Sequence, residues 1–208
     1  MLFANPLEQI LGQVSKVRIL RFLVLTDQEL NGREIAAAIG LSHVKAHTAL
    51  KELNKHDIVE MRHVGKSILY RLNLKNVLVK KMLIPLFKSE ARLRDVIAET
   101  MSRYLKDPAP DSIILFGSIA SGKARPDSDI DVLIISSHKK DIPAIEESLH
   151  KAEISMTTCF GNHLAPILMD ETEFRKQFKS RNKVIRSIVR NGKVIFGKSI
   201  NELIKSND

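Results

Sequence analysis

The sequence contains very little cysteine and few aromatic residues. Among its 208 residues, one is cysteine, none is tryptophan and 5% are aromatic. The single Cys159 excludes an internal disulfide bond, and the paired Cys and His spacings that bind zinc are absent. No apolar run reaches the roughly 18 residues of a membrane span, and there is no charged-then-apolar leader. We therefore expect a soluble, cytoplasmic protein that does not associate with membranes.

One common type of nucleotide-binding motif is also missing. Gly122 and Lys123 are followed by Ala124, where a Walker-type phosphate loop needs Ser or Thr. Internal repeats and low-complexity tracts are absent as well, which excludes a repeat architecture.

Positive charge is in excess in both parts of the chain, and the formal net charge is +9. Residues 1–75 carry 11 Lys and Arg against 7 Asp and Glu, and residues 76–208 carry 22 against 17, which together make the 33 and 24 of the whole chain. This balance favours a polyanionic partner.

The first 75 residues begin with predicted helices. Apolar residues recur at helical spacing over residues 5–26 and again over 32–39. After a glycine turn, a further helix is predicted over 43–54, with Ser42 at its N-cap.

A hairpin follows these helices. Two alternating runs, 58–64 and 67–72, flank Gly65 and Lys66, which is a signal for a two-residue turn. Helices, turn, helix and hairpin in this order predict a winged helix-turn-helix.

The helix over 43–54 has two distinct faces. Four residues form its inward apolar stripe: Ala46, Ala49, Leu50 and Leu53. Five residues face outward: His43, Lys45, His47, Thr48 and Lys51.

This region resembles the winged-helix repressors of bacteria and archaea, of the broad type that includes the arsenic-repressor family, over roughly residues 5–75. In such proteins the recognition helix enters the major groove, and the wing touches the backbone or the minor groove. The resemblance implies that the five outward residues contact DNA, together with Arg62 and Lys66 in the wing. Winged helices also mediate protein contacts, and that alternative stays open.

Further along the chain, a short strand is predicted to end in a glycine turn. The apolar run over 111–116 is too short for a helix and delivers Gly117 and Ser118 at its end. Glycine permits the backbone to approach a ligand closely, so this turn is typical of a phosphate cradle.

Two aspartates stand at the start of the next predicted strand, 130–136. Alternation along a strand places Asp129 and Asp131 on one face, with Cα atoms roughly 6–7 Å apart. Two such carboxylates can share a divalent cation held against a triphosphate.

These features belong to one longer pattern, G-S-x-A-x-G-x-A-x-x-x-S-D-x-D. Its fixed positions are all met, by Gly117, Ser118, Ala120, Gly122, Ala124, Ser128, Asp129 and Asp131. The pattern resembles the minimal nucleotidyltransferases of the DNA polymerase β-like superfamily, and the likeness covers about residues 108–199. It ends in residues 191–197, which are similar to that family's closing turn and short strand.

The resemblance implies a fold and a chemistry. The expected class is α+β, with an N-terminal winged helix-turn-helix, a helical connector and a small mixed sheet flanked by helices. Gly117, Ser118 and Ser128 would contact the nucleotide, and Asp129 and Asp131 would be catalytic and bind Mg²⁺ or Mn²⁺. An NTP would be the substrate, and its nucleoside monophosphate would pass to an unknown acceptor.

The chain departs from the family at one position. Active members carry a third carboxylate on the next strand, here predicted over 163–169, where this chain has Ala165. Three alternatives stay open. His163 substitutes as a ligand, Asp170 or Glu171 swings in although both fit a helix start, or activity is weakened while nucleotide binding survives.

Length and a hydrophobic content of 44% fit two small cores. We predict a winged-helix domain over 1–75, a helical connector over 76–107 and a nucleotidyltransferase domain over 108–208.

The connector is predicted as two helices. Pro85 should bend or end the first, and Ser89 should cap the second, over 90–106. An apolar stripe on the second helix must pack on the neighbouring domain or on a second copy of the chain, and a homodimer is favoured. Its members are Leu93, Ile97, Met101, Tyr104 and Leu105.

A cationic ridge is predicted near the C-terminus. Five basic residues recur at steps of three and four, as on one helix face: Lys176, Lys179, Lys183, Arg186 and Arg190. Such a face is either simply solvated or steers a triphosphate or nucleic acid.

Two functions fit the sequence. The first is a metal-dependent nucleotidyltransferase with a DNA-binding winged helix. The second is a DNA-binding regulator whose degenerate transferase domain only binds nucleotide or a partner protein. A small helical toxin of the HEPN type is a candidate partner, because minimal nucleotidyltransferases often act beside one.

Overall fold

The computed structural model describes residues 4–205, and the chain divides into two compact units between Leu93 and Arg94. Each unit has a hydrophobic core of its own. No helix among the described residues is long and apolar enough to cross a membrane.

The first unit has the predicted winged helix-turn-helix order. Its helices are α1 (Pro6–Leu11), α2 (Val14–Thr26), α3 (Gly32–Ala38) and α4 (His43–Lys55). Its strands are β1 (Leu30–Asn31), β2 (Val59–Val64) and β3 (Ser67–Leu72), which form an antiparallel sheet in the order β1-β3-β2. The helical run predicted over 5–26 is therefore two helices, because α1 ends at Gly12.

Helix α4 presents the two predicted faces. Ser42 caps its N-terminus by accepting a hydrogen bond from the Lys45 amide at 3.4 Å. The inward residues are buried against α2 and α3: Ala46, Ala49, Leu50 and Leu53. The predicted outward residues are all exposed: His43, Lys45, His47, Thr48 and Lys51.

Strands β2 and β3 form the wing. Their register pairs Val64 with Ser67, so Gly65 and Lys66 make the two-residue turn. The hairpin prediction is confirmed.

The helix after the wing continues through its proline. A π-helical segment, Val79–Leu83, leads into α5 (Ile84–Ala91), and Pro85 lies in the first turn of α5. Proline has no amide hydrogen to donate to the carbonyl four residues earlier. In the wider π turn just before Pro85, amides bond to carbonyls five residues earlier, so the hydrogen-bond pattern of the helix changes there. The helix therefore does not end at Pro85, and the predicted cap at Ser89 is wrong because Ser89 lies inside α5.

Residues of the predicted connector contribute to both cores. Val79, Leu83 and Phe87 are at most 3% exposed and pack in the core of the first unit. Helix α6 (Leu93–Tyr104) instead belongs to the second unit, where Ile97 and Met101 are buried.

The apolar stripe of α6 is covered by the chain itself. Ile97, Met101 and Leu105 pack in the core of the second unit with the partly buried Tyr104, whereas Leu93 is exposed. A homodimer stays a prediction, and it would need a surface other than this buried stripe.

The second unit is built on a four-stranded mixed sheet. Its strands are β4 (Ser112–Leu115), β5 (Ile130–Ser136), β6 (Leu164–Asp170) and β7 (Lys193–Gly197), in the order β6-β5-β4-β7. Strand β4 is antiparallel to β5 and β7, and β5 is parallel to β6. Besides α6, the helices are α7 (Gly117–Ala120), α8 (Ile142–Phe160), α9 (Glu171–Lys179), α10 (Lys183–Asn191) and α11 (Ile200–Lys205). The predicted α+β class is confirmed.

Both faces of the sheet are buried, which explains why β4 and β5 are almost wholly apolar. On one face Ile113 and Ile134 pack with residues of α6 and α8. On the other face Ile114 and Leu133 pack with residues of α9, α10 and α11. Packing on both faces fixes the positions of β4 and β5, and the polar residues of the motif lie directly at the ends of these strands.

The predicted cationic ridge is not one continuous helix. Helix α9 ends at Lys179 and α10 begins at Lys183, with Arg181 at a φ of +61° between them. Asn182 caps α10 by accepting a hydrogen bond from the Val184 amide at 2.9 Å. The backbone of Arg181 and Asn182 is not helical, so the two helices are separate, which the three-and-four spacing alone could not reveal.

Candidate functional site

Gly117 lies just after β4, in direct contact with the carboxylate of Asp131. Its φ of +70° is in the left-handed region, which glycine adopts without strain. A Cβ atom placed on Gly117 would lie 1.9 Å from Oδ2 of Asp131 and 2.8 Å from its Cγ. Any side chain at residue 117 would displace the carboxylate, so the glycine turn and the aspartate form one site.

Strand pairing fixes this contact. Leu115 pairs with Val132 at the end of the β4–β5 ladder, and Phe116 donates its amide hydrogen to the carbonyl of Asp131 at 2.9 Å. The backbone of Asp131 is therefore held at the end of the sheet while its side chain reaches Gly117. Asp131 is half-buried, whereas Asp129, just before the strand, is exposed.

The two carboxylates form an uncompensated negative pair. Burial raises the pKa of the Asp131 carboxyl, and the negative charge of Asp129 raises it further. Within residues 4–205, neither carboxylate accepts a hydrogen bond or pairs with a basic side chain. A cation bound beside both would relieve the repulsion between them.

Hydrogen bonds shape the loop that carries these aspartates. Ser128 accepts a hydrogen bond from the Arg125 amide at 2.8 Å through its hydroxyl oxygen. Asn162 donates through its Nδ2 to the carbonyls of Pro126 at 3.0 Å and Ser128 at 2.8 Å. Ser128, predicted to contact nucleotide, thus has a loop-shaping bond, and its nucleotide contact stays a prediction. Asn162 was not foreseen, because nothing in its local sequence links it to a loop so distant along the chain.

A cavity of about 650 Å³ opens beside the glycine turn. Its wall includes Gly117 and, from the following turn, Ser121 and Lys123. Helix α10 contributes Lys183 and Ser187. Two lysines and the Ser187 hydroxyl beside a glycine turn suit the oxygens of a polyphosphate, whereas the Ser121 hydroxyl already donates to the Ser118 carbonyl at 3.1 Å. Only Gly117 of these was predicted as a nucleotide contact; Ser118 instead uses its carbonyl to accept the Lys123 amide at 2.9 Å.

Ala165 stands at the position where a third carboxylate is expected. It is the register partner of Asp131 in the parallel β5–β6 pair, so the two residues lie side by side. His163 precedes β6 and is exposed, and its carbonyl accepts the Ile130 amide at 2.8 Å. Across residues 4–205, no group of three or more His, Cys, Asp or Glu side chains is placed to hold a metal ion. His163 therefore does not complete the set.

Asp170 and Glu171 lie at the other end of the sheet. Asp170 pairs with Ser136, five positions along β5 from Asp131, which corresponds to roughly 16 Å. Asp170 caps α9 by accepting the Glu173 amide at 2.8 Å. Glu171 accepts the Ser137 hydroxyl at 3.0 Å and pairs with a neighbouring arginine. The alternative in which either acid swings in is wrong, and the helix-start interpretation is confirmed.

In the first unit, several predicted DNA contacts line one cavity of about 370 Å³. His43 and His47 of α4 lie there with Lys66 of the wing, and the two imidazole rings stack with centroids 6.2 Å apart. Arg33 also lines this cavity and was not predicted, because the sequence placed it in a helix other than the recognition helix.

Arg62 differs from the other predicted wing residues. Its guanidinium donates to both carboxylate oxygens of Glu29, at 3.0 and 2.5 Å, and these hydrogen bonds lower the pKa of Glu29. Part of its charge is thus already balanced within the chain, so Lys66 is the more available cation of the wing.

The sequence from residue 98 to residue 201, half of the chain, matches the family model described as Polymerase beta, Nucleotidyltransferase. The chain belongs to this nucleotidyltransferase family. The match begins within α6 and ends within α11, so the matched region includes the C-terminal part of α6 together with the whole sheet. The family recognised from the glycine and aspartate pattern is confirmed.

Solved structures give partial likenesses to this chain. One is a homodimeric winged helix-turn-helix DNA-binding domain from Mycobacterium bovis, a possible ArsR-family transcriptional regulator, with 21% identity, a TM-score of 0.36, and coverage of 43% of this chain and 80% of that one. The AntR antimony-specific transcriptional repressor gives 22% identity, a TM-score of 0.34 and coverage of 41% and 78%. A toxin-antitoxin with AMP-PNP gives 20% identity, a TM-score of 0.35 and coverage of 51% and 80%. The family assignment rests on the family model alone, and a comparison with curated protein sequences gave no match.

Proposed function

We propose that the nucleotidyltransferase domain binds an NTP and transfers its nucleoside monophosphate to an acceptor hydroxyl. The contact between Gly117 and the Asp131 carboxylate, at the rim of a cavity with two lysines, carries this proposal. The acceptor oxygen would bond to the α-phosphorus while the bond to the β-phosphate oxygen breaks and pyrophosphate leaves. With Ala165 in place of an acid, the hydroxyl proton would pass to water.

The donor set of this site suits a hard divalent cation. Asp129 and Asp131 supply carboxylate oxygens, which Mg²⁺ or Mn²⁺ prefers, and neither carboxylate has a basic partner in the described chain. These two residues would hold the ion. When bound, it would neutralise charge on the phosphate oxygens.

The remaining residues of the site would bind and orient the nucleotide. Lys123 and Lys183 would pair with phosphate oxygens, and Ser187 would donate a hydrogen bond to them. Gly117, without a side chain, would let the phosphates approach the backbone and the Asp131 carboxylate together.

Removing both carboxylates tests the site. We expect Asp129→Ala with Asp131→Ala to raise the Kd for ATP or GTP with Mg²⁺ at least about 100-fold, because charge-assisted and metal-mediated contacts are lost together. Isothermal titration calorimetry measures this. Glu146→Ala with Glu147→Ala removes two exposed charges from α8 and should leave the Kd unchanged. Unchanged nucleotide binding in the aspartate variant would contradict the site.

A regulator with a degenerate transferase domain is the second candidate function. The pairing of Ala165 with Asp131 supports it, because the position beside the metal-binding carboxylate lacks an acid. Incubation with labelled NTPs, Mg²⁺ or Mn²⁺ and a cell extract separates the two. A labelled acceptor that depends on Asp129 supports transfer, and nucleotide binding with no labelled product supports the regulator.

Under either function, we propose that the winged helix binds DNA. His43, His47 and Lys66 line one exposed cavity between α4 and the wing, and Lys45 and Lys51 are exposed on the same helix. A homodimer and a helical toxin-like protein stay predicted partners for this chain.

Two lysines test DNA binding. We expect Lys45→Ala with Lys66→Ala to weaken binding to the protein's own promoter about tenfold at low salt, and to reduce the slope of log K against log salt by about 1.8 if both contact phosphate. Mobility shifts across a salt series measure both quantities. Lys80→Ala with Lys81→Ala removes two exposed charges from the π-helical segment and serves as the control. If the unaltered protein binds no DNA at any salt, the winged helix has another role.

A further inference from the structure

The cavity of about 650 Å³ beside Gly117 is here named the nucleotide cavity, after its proposed ligand. Beside it lies a second cavity of about 820 Å³, here named the basic groove. Four of its lining residues are cationic: Arg181, Lys183, Arg186 and Arg190. Its remaining lining residues are uncharged: Phe178, Ser187, Val189 and Asn191. A groove with four positive charges and no acidic residue in its wall favours the binding of an anion.

The cations of the basic groove are unpaired. None of the four forms an ion pair or hydrogen bond through its side chain within residues 4–205. By contrast, Arg21, Arg62 and Arg71 each pair with a glutamate. An anion bound in the groove would offset the repulsion among these four positive charges.

The basic groove is continuous with the nucleotide cavity. Lys183, Ser187 and Asn191 line both. A ligand in the groove would thus lie beside the phosphates of a bound NTP, which is where an acceptor must be.

We propose that the basic groove binds the sugar-phosphate backbone of a single-stranded nucleic acid and presents its terminal hydroxyl as the acceptor. This inference rests on the proposed nucleotidyl transfer. Arginine forks bind phosphate oxygens in bidentate fashion, and three of the four cations are arginines. The aromatic ring of Phe178 offers an apolar surface on which a base can stack.

The dimensions of α10 fit a short stretch of strand better than a single phosphate. From Lys183 to Arg190 the helix rises about 10 Å, which corresponds to roughly three stacked nucleotides. An acidic peptide would use the positive charges but would make no use of a stacking surface, so the nucleic acid fits more of the wall.

The test uses the full chain and a short fluorescently labelled single-stranded RNA, with unlabelled double-stranded DNA present in excess to occupy the winged helix. We expect Arg186→Ala with Arg190→Ala to raise the Kd for the RNA at least about tenfold at low salt. The slope of log K against log salt should fall by about 1.4, the value for two lost contacts to a single strand. Fluorescence anisotropy measures both.

Three outcomes would overturn the proposal. They are no RNA binding by the unaltered chain, an equal loss in the control Lys139→Ala with Lys140→Ala, or displacement of the RNA by polyglutamate but not by an unlabelled strand. The control removes two exposed lysines from the same unit.

A separate measurement distinguishes this proposal from the nucleotide site. Arg186 and Arg190 do not line the nucleotide cavity, so their double variant should bind ATP with an unchanged Kd by calorimetry. Asp129→Ala with Asp131→Ala should lose ATP binding but retain the RNA. Failure of either site would thus leave the other measurable.

Discussion

Gly117→Ala is expected to abolish Mg²⁺-dependent nucleotide binding, with a Kd at least about 100-fold higher, comparable to the loss of the aspartates themselves. The methyl group would lie 1.9 Å from Oδ2 of Asp131, so the carboxylate must leave its place. The left-handed φ of +70° adds a backbone cost of about 1–2 kcal/mol. Calorimetry with ATP and Mg²⁺, together with a thermal melt, measures the two effects.

Gly122→Ala is the matched control for that experiment. Gly122 has a φ of +71°, so alanine there meets the same backbone cost, but no atom lies within 4 Å of its added Cβ. We expect a similar fall in stability with nucleotide binding largely retained. Equal losses of binding in both variants would mean that backbone strain, and not contact with Asp131, explains the need for glycine.

Ala165→Asp is expected to raise nucleotidyl transfer about 100-fold. It places a carboxylate beside Asp131 on the neighbouring strand, where it can bind metal and accept the proton of the attacking hydroxyl. Ala165 is only half-buried, so the larger side chain has access to solvent and the fold should tolerate it. Release of pyrophosphate from labelled NTP in a cell extract gives the rate.

Ala165→Asn separates the effect of a carboxylate at residue 165 from the effect of a larger side chain there. The amide has almost the same size but cannot accept a proton in the same way, so no gain in rate is expected. If the aspartate variant is also unchanged, the absence of an acid at residue 165 does not limit the reaction, and the regulator becomes the favoured function.

The features that sequence could predict are encoded within short stretches of chain. The β5 bounds, Ile130–Ser136, are as predicted, because the apolar run is bracketed by polar residues. The cap at Ser42 and the turn at Gly65 and Lys66 also depend on neighbours a few residues away. The glycine turn and the two aspartates could be joined only because one familiar pattern spans both.

The features that sequence could not predict depend on contacts between distant segments. Lys183 reaches the cavity beside Gly117 only because α10 packs against the same sheet that positions Gly117. Asn162 hydrogen-bonds to the loop that precedes Asp129 because β6, which follows Asn162, pairs in parallel with β5. Pro85 is accommodated by a π turn, whose occurrence has no signature in residue type or spacing.

The burial of Val79, Leu83 and Phe87 in the first core limits where the winged-helix unit can be separated from, or fused to, another domain. A winged helix transferred to another protein with a boundary at residue 75 would lose three fully buried side chains, each contributing about 1.5–3 kcal/mol. The part of the chain that could be transferred as a folded unit therefore extends through α5 to Leu93. Gene fusions that join this winged-helix unit to a different domain would have to retain α5 with it.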